Sequence, residues 1–326
     1  MRHAAIAILA IGLLATPGRA EVTKLVAAKQ FGLGYLQMML MQDMKLIEKH
    51  AQAAGLTVEV EWATFRSSDV MNDALISGTV HFVSLGPTGL ATIWSKTRGN
   101  LNVRGVAGLN TLPLHLNVRD PSIQSVADFK DHHRIAVPAV KVSVQATLLQ
   151  MAAAKAFGVA KFDQLDKLTV SLAHPDATAI MLGGPGEIVA NFSSPPFAYR
   201  QKQNPAVRTI LVSNDLMPGG LSFNVIAATS RFRDQNPKVY RAYRAALDEA
   251  TQRVNADKAW GAAQYVRITG ERTPPADILA IMNDPLVRFT TEPLNLGPFL
   301  AFMEQDGTLR GAPKDWREMM FADQTN

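Results

Sequence analysis

Residues 58–88 read VEVEWATFRSSDVMNDALISGTVHFVSLGPT, and this stretch decides the fold. It opens as an alternating strand, with Val58, Val60 and Trp62 on one side of an extended chain. After a loop at Phe65–Ser68, Val70, Met71, Ala74 and Leu75 recur at helical spacing, and Gly78 ends that helix. A second strand, Val80–Leu85, runs into Gly86-Pro87-Thr88, where proline suits the first turn of another helix. The sum is a β-α-β unit whose last strand delivers backbone N–H groups to a crevice at its C-terminal end.

The same grammar extends both ways. Thr23–Ala28 reads as a first strand, Lys29–Gly34 as a loop, and Tyr35 to Ala54 as one long, Met-rich helix stopped by Gly55. A helix from Thr88 to before Gly99 and a strand at Val103–Leu109 follow, and Thr111-Leu112-Pro113 then breaks the pattern. Beyond the break, strands at Leu114–Val118, Arg134–Val137, Leu168–Ser171, Ile188–Phe192 and Val207–Ser213 alternate with helices, the strongest being Ser143–Phe157. Pro218-Gly219-Gly220 makes a second break, followed by a strand at Ser222–Ala228 and a mainly helical remainder. Alternating strands and helices define an α/β class, here two lobes that each hold a mixed, largely parallel sheet flanked by helices. Crossings at the two breaks give a discontinuous lobe 1, residues 21–112 plus 222–326, and a lobe 2 of residues 113–221. Two chain crossings between two lobes make a hinge.

Residues 1–20 read as a cleaved secretory signal: Arg2 and His3, an apolar run from Ala4 to Ala15, and small residues ending at Ala20. The apolar run is about 12 residues, too short to span a bilayer. The chain has no cysteine, which excludes a disulfide framework, thiolate metal sites, a cysteine nucleophile and a lipid-anchored N-terminal Cys. An unanchored leader places the mature chain in a periplasm. Loss of Arg2 and Arg19 from the 33 basic residues leaves an excess of +3 over the 28 acidic ones. The basic residues form no run, so a nucleic-acid surface is not expected.

Four loops converge if the strands pair as read. Gln30, Phe31, Gly32 and Tyr35 follow the first strand, where Gln30 and Tyr35 offer hydrogen bonds and the glycines allow close approach; the plainer reading is an ordinary strand-to-helix turn. Gly86, Pro87 and Thr88 start a helix whose N–H groups suit an anion. Lys141, Val142 and Ser143 precede the second-lobe helix, where Ser143 is equally a plain N-cap. Asn191, Ser193 and Phe197 flank a Ser-Ser-Pro-Pro turn at a strand end, the serine and asparagine polar and Phe197 a wall. Asn110 and Leu112, near the first crossover, complete the candidate set.

An enzyme is the chief competing reading. His115, His132, His133 and His174 are its best support, but the chain has no H-E-x-x-H, no G-x-S-x-G elbow and no phosphate-cradling G-x-x-x-x-G-K-S/T. His132-His133 lies in a polar turn, and His174-Pro175-Asp176 reads as a loop with a helix cap.

Trp62-x-x-Phe65, the Met71–Leu75 helix, Ser77-Gly78 and the strand ending at Gly86-Pro87 together resemble the nitrate/sulfonate/taurine-type solute-binding proteins of ABC importers. Ser125–Lys130 with Arg134–Val137, the Ser143 helix and Glu187–Phe197 extend the resemblance over the whole mature chain. One departure is His81, where that family often carries an acid near the strand start. The resemblance implies a type II periplasmic-binding-protein fold and a non-enzymatic receptor that traps a small organic anion by hinge closure. Its implied partners are a membrane permease and an ATPase, with the receptor a monomer, and it implies no cofactor, metal or nucleic acid. A sulfonate or carboxylate, aromatic in one version, is the expected ligand. Nitrate, a thiamine-precursor pyrimidine, or an enzyme of the same fold are the alternatives.

Overall fold

The computed structural model describes residues 20–184, 186–218, 220 and 222–322. The expected leader lies outside the described residues, as does Gly219 of the second break. The first unit begins with β1 (Lys24–Lys29), α1 (Leu36–Asp43), α2 (Leu46–Ala53), β2 (Glu59–Thr64), α3 (Ser68–Ile76), β3 (Phe82–Leu85), α4 (Pro87–Thr97) and β4 (Val103–Thr111). The second holds β5 (His115–Val118), β6 (Arg134–Val137), α5 (Val144–Phe157), β7 (Thr169–Ser171), α6 (His174–Gly183), β8 (Ile188–Ser193), α7 (Phe197–Lys202) and β9 (Arg208–Val212). The chain then returns through β10 (Asn224–Thr229), α8 (Ser230–Gln235), α9 (Pro237–Ala256), α10 (Lys258–Thr269), α11 (Pro275–Met282), β11 (Arg288–Phe289) and α12 (Gly297–Gln305).

The strands form a six-stranded sheet, β11-β4-β10-β3-β1-β2, and a five-stranded sheet, β7-β6-β8-β5-β9. Both sheets are mixed, as expected, but less parallel than the sequence suggests. β1 pairs in parallel with β2 and β3, and β6 with β7 and β8. The strands next to the crossings, β4, β5, β9 and β10, pair antiparallel. A strand that enters a sheet directly from the other unit arrives without a crossover helix, so it need not run parallel to its neighbours.

Alternation along the strands builds two apolar layers on the first sheet. Leu25 and Ala27 of β1, Phe82 of β3, and Ile226 and Ala228 of β10 face α1, α2 and α9. Ala28, Val83, Leu85, Val225 and Ala227 face the other way, toward α3, α4 and α12. Phe82 stacks on Tyr243 of α9 at 3.8 Å and 7° between ring planes, and meets Phe232 edge-on at 5.4 Å. These rings pin the long returning helix to the sheet that the chain left far earlier.

The single helix expected over 35–54 is two. Lys45 takes a left-handed conformation with φ 51°, and Met44 closes α1. α1 is buried from Leu36 to Met41 and lies against α9 and α10, whereas α2 is amphipathic and lies along α9. One straight helix could not serve both faces. β11, a two-residue strand on the sheet edge, has no counterpart in the sequence reading, and its pairing with Asn110 and Thr111 carries β4 beyond Leu109.

Candidate functional site

Two helix starts meet where the two units touch. Gly86 is the N-cap of α4 with Pro87 in its first turn, so the proline occupies a position whose N–H would find no helical partner. Ser143 caps α5: its Oγ accepts from Ala146 N at 3.3 Å and donates to Ala139 O at 2.8 Å. Across the gap, Thr88 Oγ1 donates to Val142 O at 2.9 Å, and Leu33 N donates to Pro195 O at 3.1 Å. Both bonds join one unit to the other.

The cleft between them is lined by Gln30, Tyr35, Ser68, Gly86, Phe223 and Asn224 from the six-stranded side and Pro138, Ser143, Val144, Gln145 and His174 from the five-stranded side. Its volume is about 20 Å³, room for about one water. None of these residues is Asp, Glu, Lys or Arg. Gln30 Nε2 donates to Ser68 Oγ at 3.4 Å, and Tyr35 Oη to Asn224 Oδ1 at 3.3 Å. Burial raises the Tyr35 phenol well above its ordinary pKa, against smaller opposing effects led by its bond to Asn224, so it is a neutral donor. Burial also lowers the His174 pKa to about 4, which makes the ring neutral. With the proton on Nδ1, His174 donates to Ser193 Oγ at 3.4 Å and accepts on Nε2 from Gln145 at 3.3 Å. What converges on the cleft is a set of neutral hydrogen-bonding groups and the positive ends of two helix dipoles. That chemistry suits an anion held without a counter-charge.

The structure brings Gln30, Tyr35, Gly86 and Ser143 of the candidate set to the cleft lining. Pro87 and Thr88 form the first turn behind it, and Val142 contributes its carbonyl to the Thr88 bond. Gly32, at φ 108°, sits where a Cβ would crowd Pro195 O and the Phe197 ring, so Gly32 and Phe197 form a contact between the units. Phe197 stacks in turn on His174, ring centroids 5.6 Å apart. Ser193 is one bond behind the cleft, through His174. Asn191 is fully buried beneath it, with Nδ2 on Ala136 O at 2.9 Å and Oδ1 accepting from Gln201 at 2.8 Å. Asn110 Nδ2 bonds Gly34 O at 2.5 Å, and Leu112 is buried in the core. Lys141 is exposed with φ 63°, and Phe31 is 38% exposed and borders a different cavity.

Ser68, Pro138, Val144, Gln145, Phe223 and Asn224 are not among the sequence candidates, and His174 is there only as support for the competing enzyme reading. For Phe223 and Asn224 a signal existed. An antiparallel strand in a mixed sheet brings its beginning, not its end, to the edge where its parallel neighbours finish, and β10 is such a strand.

A second set of contacts joins the units between α7 and the α10–α11 region. Arg200 pairs with Glu271 at 3.0 Å, and Tyr199 Oη donates to Asp284 Oδ2 at 3.3 Å. His115, just past the first crossing, lies against the Tyr199 ring at 5.1 Å, and neither of its ring nitrogens has a hydrogen-bond partner among the described residues.

Two mixed sheets flanked by helices, with the chain crossing between them twice, match the fold of solved periplasmic binding proteins. The alkanesulfonate-binding protein SsuA from Xanthomonas axonopodis pv. citri, solved bound to MOPS, is 19% identical, with a TM-score of 0.71 over 94% of this chain and 98% of that one. The aliphatic sulphonate binding protein SsuA from Escherichia coli is 21% identical, with a TM-score of 0.64 over 93% and 99%. The nitrate-binding protein NrtA from Synechocystis PCC 6803 is 15% identical, with a TM-score of 0.69 over 91% and 84%. No protein-family model matches the chain, and no curated protein does. No helix among the described residues is long and apolar enough to cross a membrane.

Proposed function

We propose that this chain is the periplasmic solute-binding component of an ABC importer. Its lobes are residues 21–112 with 222–326 and residues 113–221, and it passes a small organic anion of the sulfonate or carboxylate class to a membrane permease driven by an ATPase. The observation that carries the reading is the meeting of the α4 and α5 starts at a cleft lined only by uncharged side chains. An anion there gains from two helix dipoles and the amide N–H groups of their first turns. A cation would meet the same dipoles unfavourably. Binding favours the closed arrangement because only there do both helix starts reach the same ligand; closure follows from that difference in affinity between open and closed states. The chain acts as a monomer and without chemistry on its ligand: His174 is flanked by Gln145 and Ser193, and among the described residues no carboxylate bonds its ring to make it a base.

The narrowness of the cleft, about 20 Å³, favours nitrate as the second reading, since a planar anion of four heavy atoms needs the least opening. A thermal-shift screen of alkyl and aryl sulfonates, carboxylates and nitrate separates the two. A ligand at a hundred times its Kd stabilises by about 2.7 kcal/mol, a readily measured rise in Tm. Ser143→Ala is expected to weaken the hit by about tenfold, because it removes both a cap and a polar contact. A screen in which no anion raises Tm, or in which a cation does, overturns the proposal.

A further inference from the structure

A recess far larger than the cleft lies elsewhere. A cavity of about 500 Å³ opens on the six-stranded unit alone, at the C-terminal ends of β1 and β2 and between α1 and α10. Its size lies within the range of small-molecule sites, and the C-terminal edge of parallel strands is where α/β sheets bind ligands. The chemistry of its walls is divided. Lys29 and Thr64 close one side, with Lys29 Nζ donating to Thr64 Oγ1 at 3.1 Å. Phe31, Met39 and Ile268 supply apolar surface, and Phe31 is the one aromatic ring among the large hydrophobic side chains left exposed in the described chain. Asp43, the acid on the rim, is paired with Arg267 across the mouth.

Lys29 is therefore a cation with no ion-pair partner among the described residues, in a recess that also presents an unpaired ring. Burial lowers its pKa, with no nearby acid to oppose the effect. An ammonium withdrawn from water without a counter-charge is costly, and a ligand carrying one negative charge relieves that cost on arrival. The apolar wall beside it asks for a hydrophobic body on the same molecule.

We propose that this recess is a second ligand site, separate from the cleft, for an amphipathic organic anion. The sulfonate or carboxylate group would sit on Lys29 and Thr64, and the aryl or alkyl body against Phe31, Met39 and Ile268. Gln30 borders both the recess and the cleft, so the two sites share one wall. The assignment does not depend on the cleft being a solute trap.

Calorimetric titration with naphthalenesulfonate tests it, performed in the Gly86→Ala protein, where a methyl group holds the helix starts apart and weakens cleft binding. A saturable site that depends on Lys29 is expected there. Adding Lys29→Met should weaken it about tenfold, the value of one charge-assisted contact, whereas Lys29→Arg should stay within about threefold. Phe31→Ser, at an exposed position that poses no threat to folding, should weaken it about fivefold through lost apolar contact. Absence of saturable binding in Gly86→Ala, or equal affinity in the Gly86→Ala/Lys29→Met protein, overturns the proposal. Failure of the cleft reading shows differently: wild-type and Gly86→Ala proteins would then give identical titrations.

Discussion

Val144 of α5 packs against Gly86 of α4 so closely that a β-carbon on Gly86 would overlap Val144 Cγ2. The backbone at Gly86 has φ −71° and ψ 161°, which any residue adopts, so glycine is needed there for the neighbour and not for the turn. The neighbour belongs to the other unit. This contact sets the closest approach of the two helix starts.

Gly86→Ala should accordingly hold the units apart while leaving each intact. Overpacking of this kind costs about 1–3 kcal/mol, here charged to the closed arrangement alone. Small-angle scattering should show a larger radius of gyration for the variant, with Tm nearly unchanged, and solute affinity should drop about tenfold or more. A variant as compact as the wild type would show that the units do not move relative to each other.

Arg200 and Glu271 form a half-buried pair between α7 and the loop after α10, with side-chain exposures of 32% and 13%. Partial burial makes it worth more than a surface pair, on the order of 1 kcal/mol. Arg200→Ala should reduce solute affinity about fivefold, and added salt should weaken the wild type more than the variant. A salt response that is the same in both would remove this pair from the closure energetics.

His115 and His174 have folded pKa values of about 4, each lowered chiefly by burial. For His115, Lys202 lowers it further, while Asp284 and Asp215 oppose. Both rings are neutral when folded, whereas the unfolded chain takes up protons below about pH 6.5. Their contribution is therefore complete above that pH and is lost progressively toward pH 4, by up to roughly 3 kcal/mol each. His115→Phe should flatten this acid slope. It should also be neutral or stabilising at pH 7, because the two ring nitrogens it removes have no partners among the described residues. An unchanged slope in chemical denaturation between pH 7 and 4.5 would count against this account.

Asn191→Ala separates structure from binding. Its amide ties Ala136 O to Gln201, which also bonds Thr178 and Asn117 beneath the second sheet. Removing it strands buried partners, so stability should fall by about 2 kcal/mol with solute affinity within about twofold of wild type. Denaturation and titration of the same variant check both halves.

The alternation of elements was legible from residues 58–88 outward, because glycines and prolines mark its boundaries. The break at Lys45 was not, since a lysine in a left-handed conformation leaves no local signature and the kink answers to α9, some 200 residues away in sequence. In the cleft, the helix starts could be read from Pro87 and Ser143. Val144 could not: an isolated valine at a helix start reads as core, and its partner at Gly86 lies in the other unit. Asn191 stands near a strand end, the usual place for a ligand contact in an α/β sheet, yet the pleat turns it inward toward Gln201. Strand register, which sets which residue of an end faces the cleft, comes from pairing and not from local pattern.

The placement of β10 also orders events in time. It sits between β4 and β3 in the first sheet, so that sheet has a missing middle until residue 229 has been made. The five strands of the second sheet all come from residues 115–212 and need nothing further along the chain. During synthesis the five-stranded unit is thus able to assemble first. The six-stranded unit must wait, with β3 and β4 carrying open edges that invite the wrong strand. A chaperone that shields those two strands until β10 arrives would raise the yield of native protein without touching either proposed binding surface.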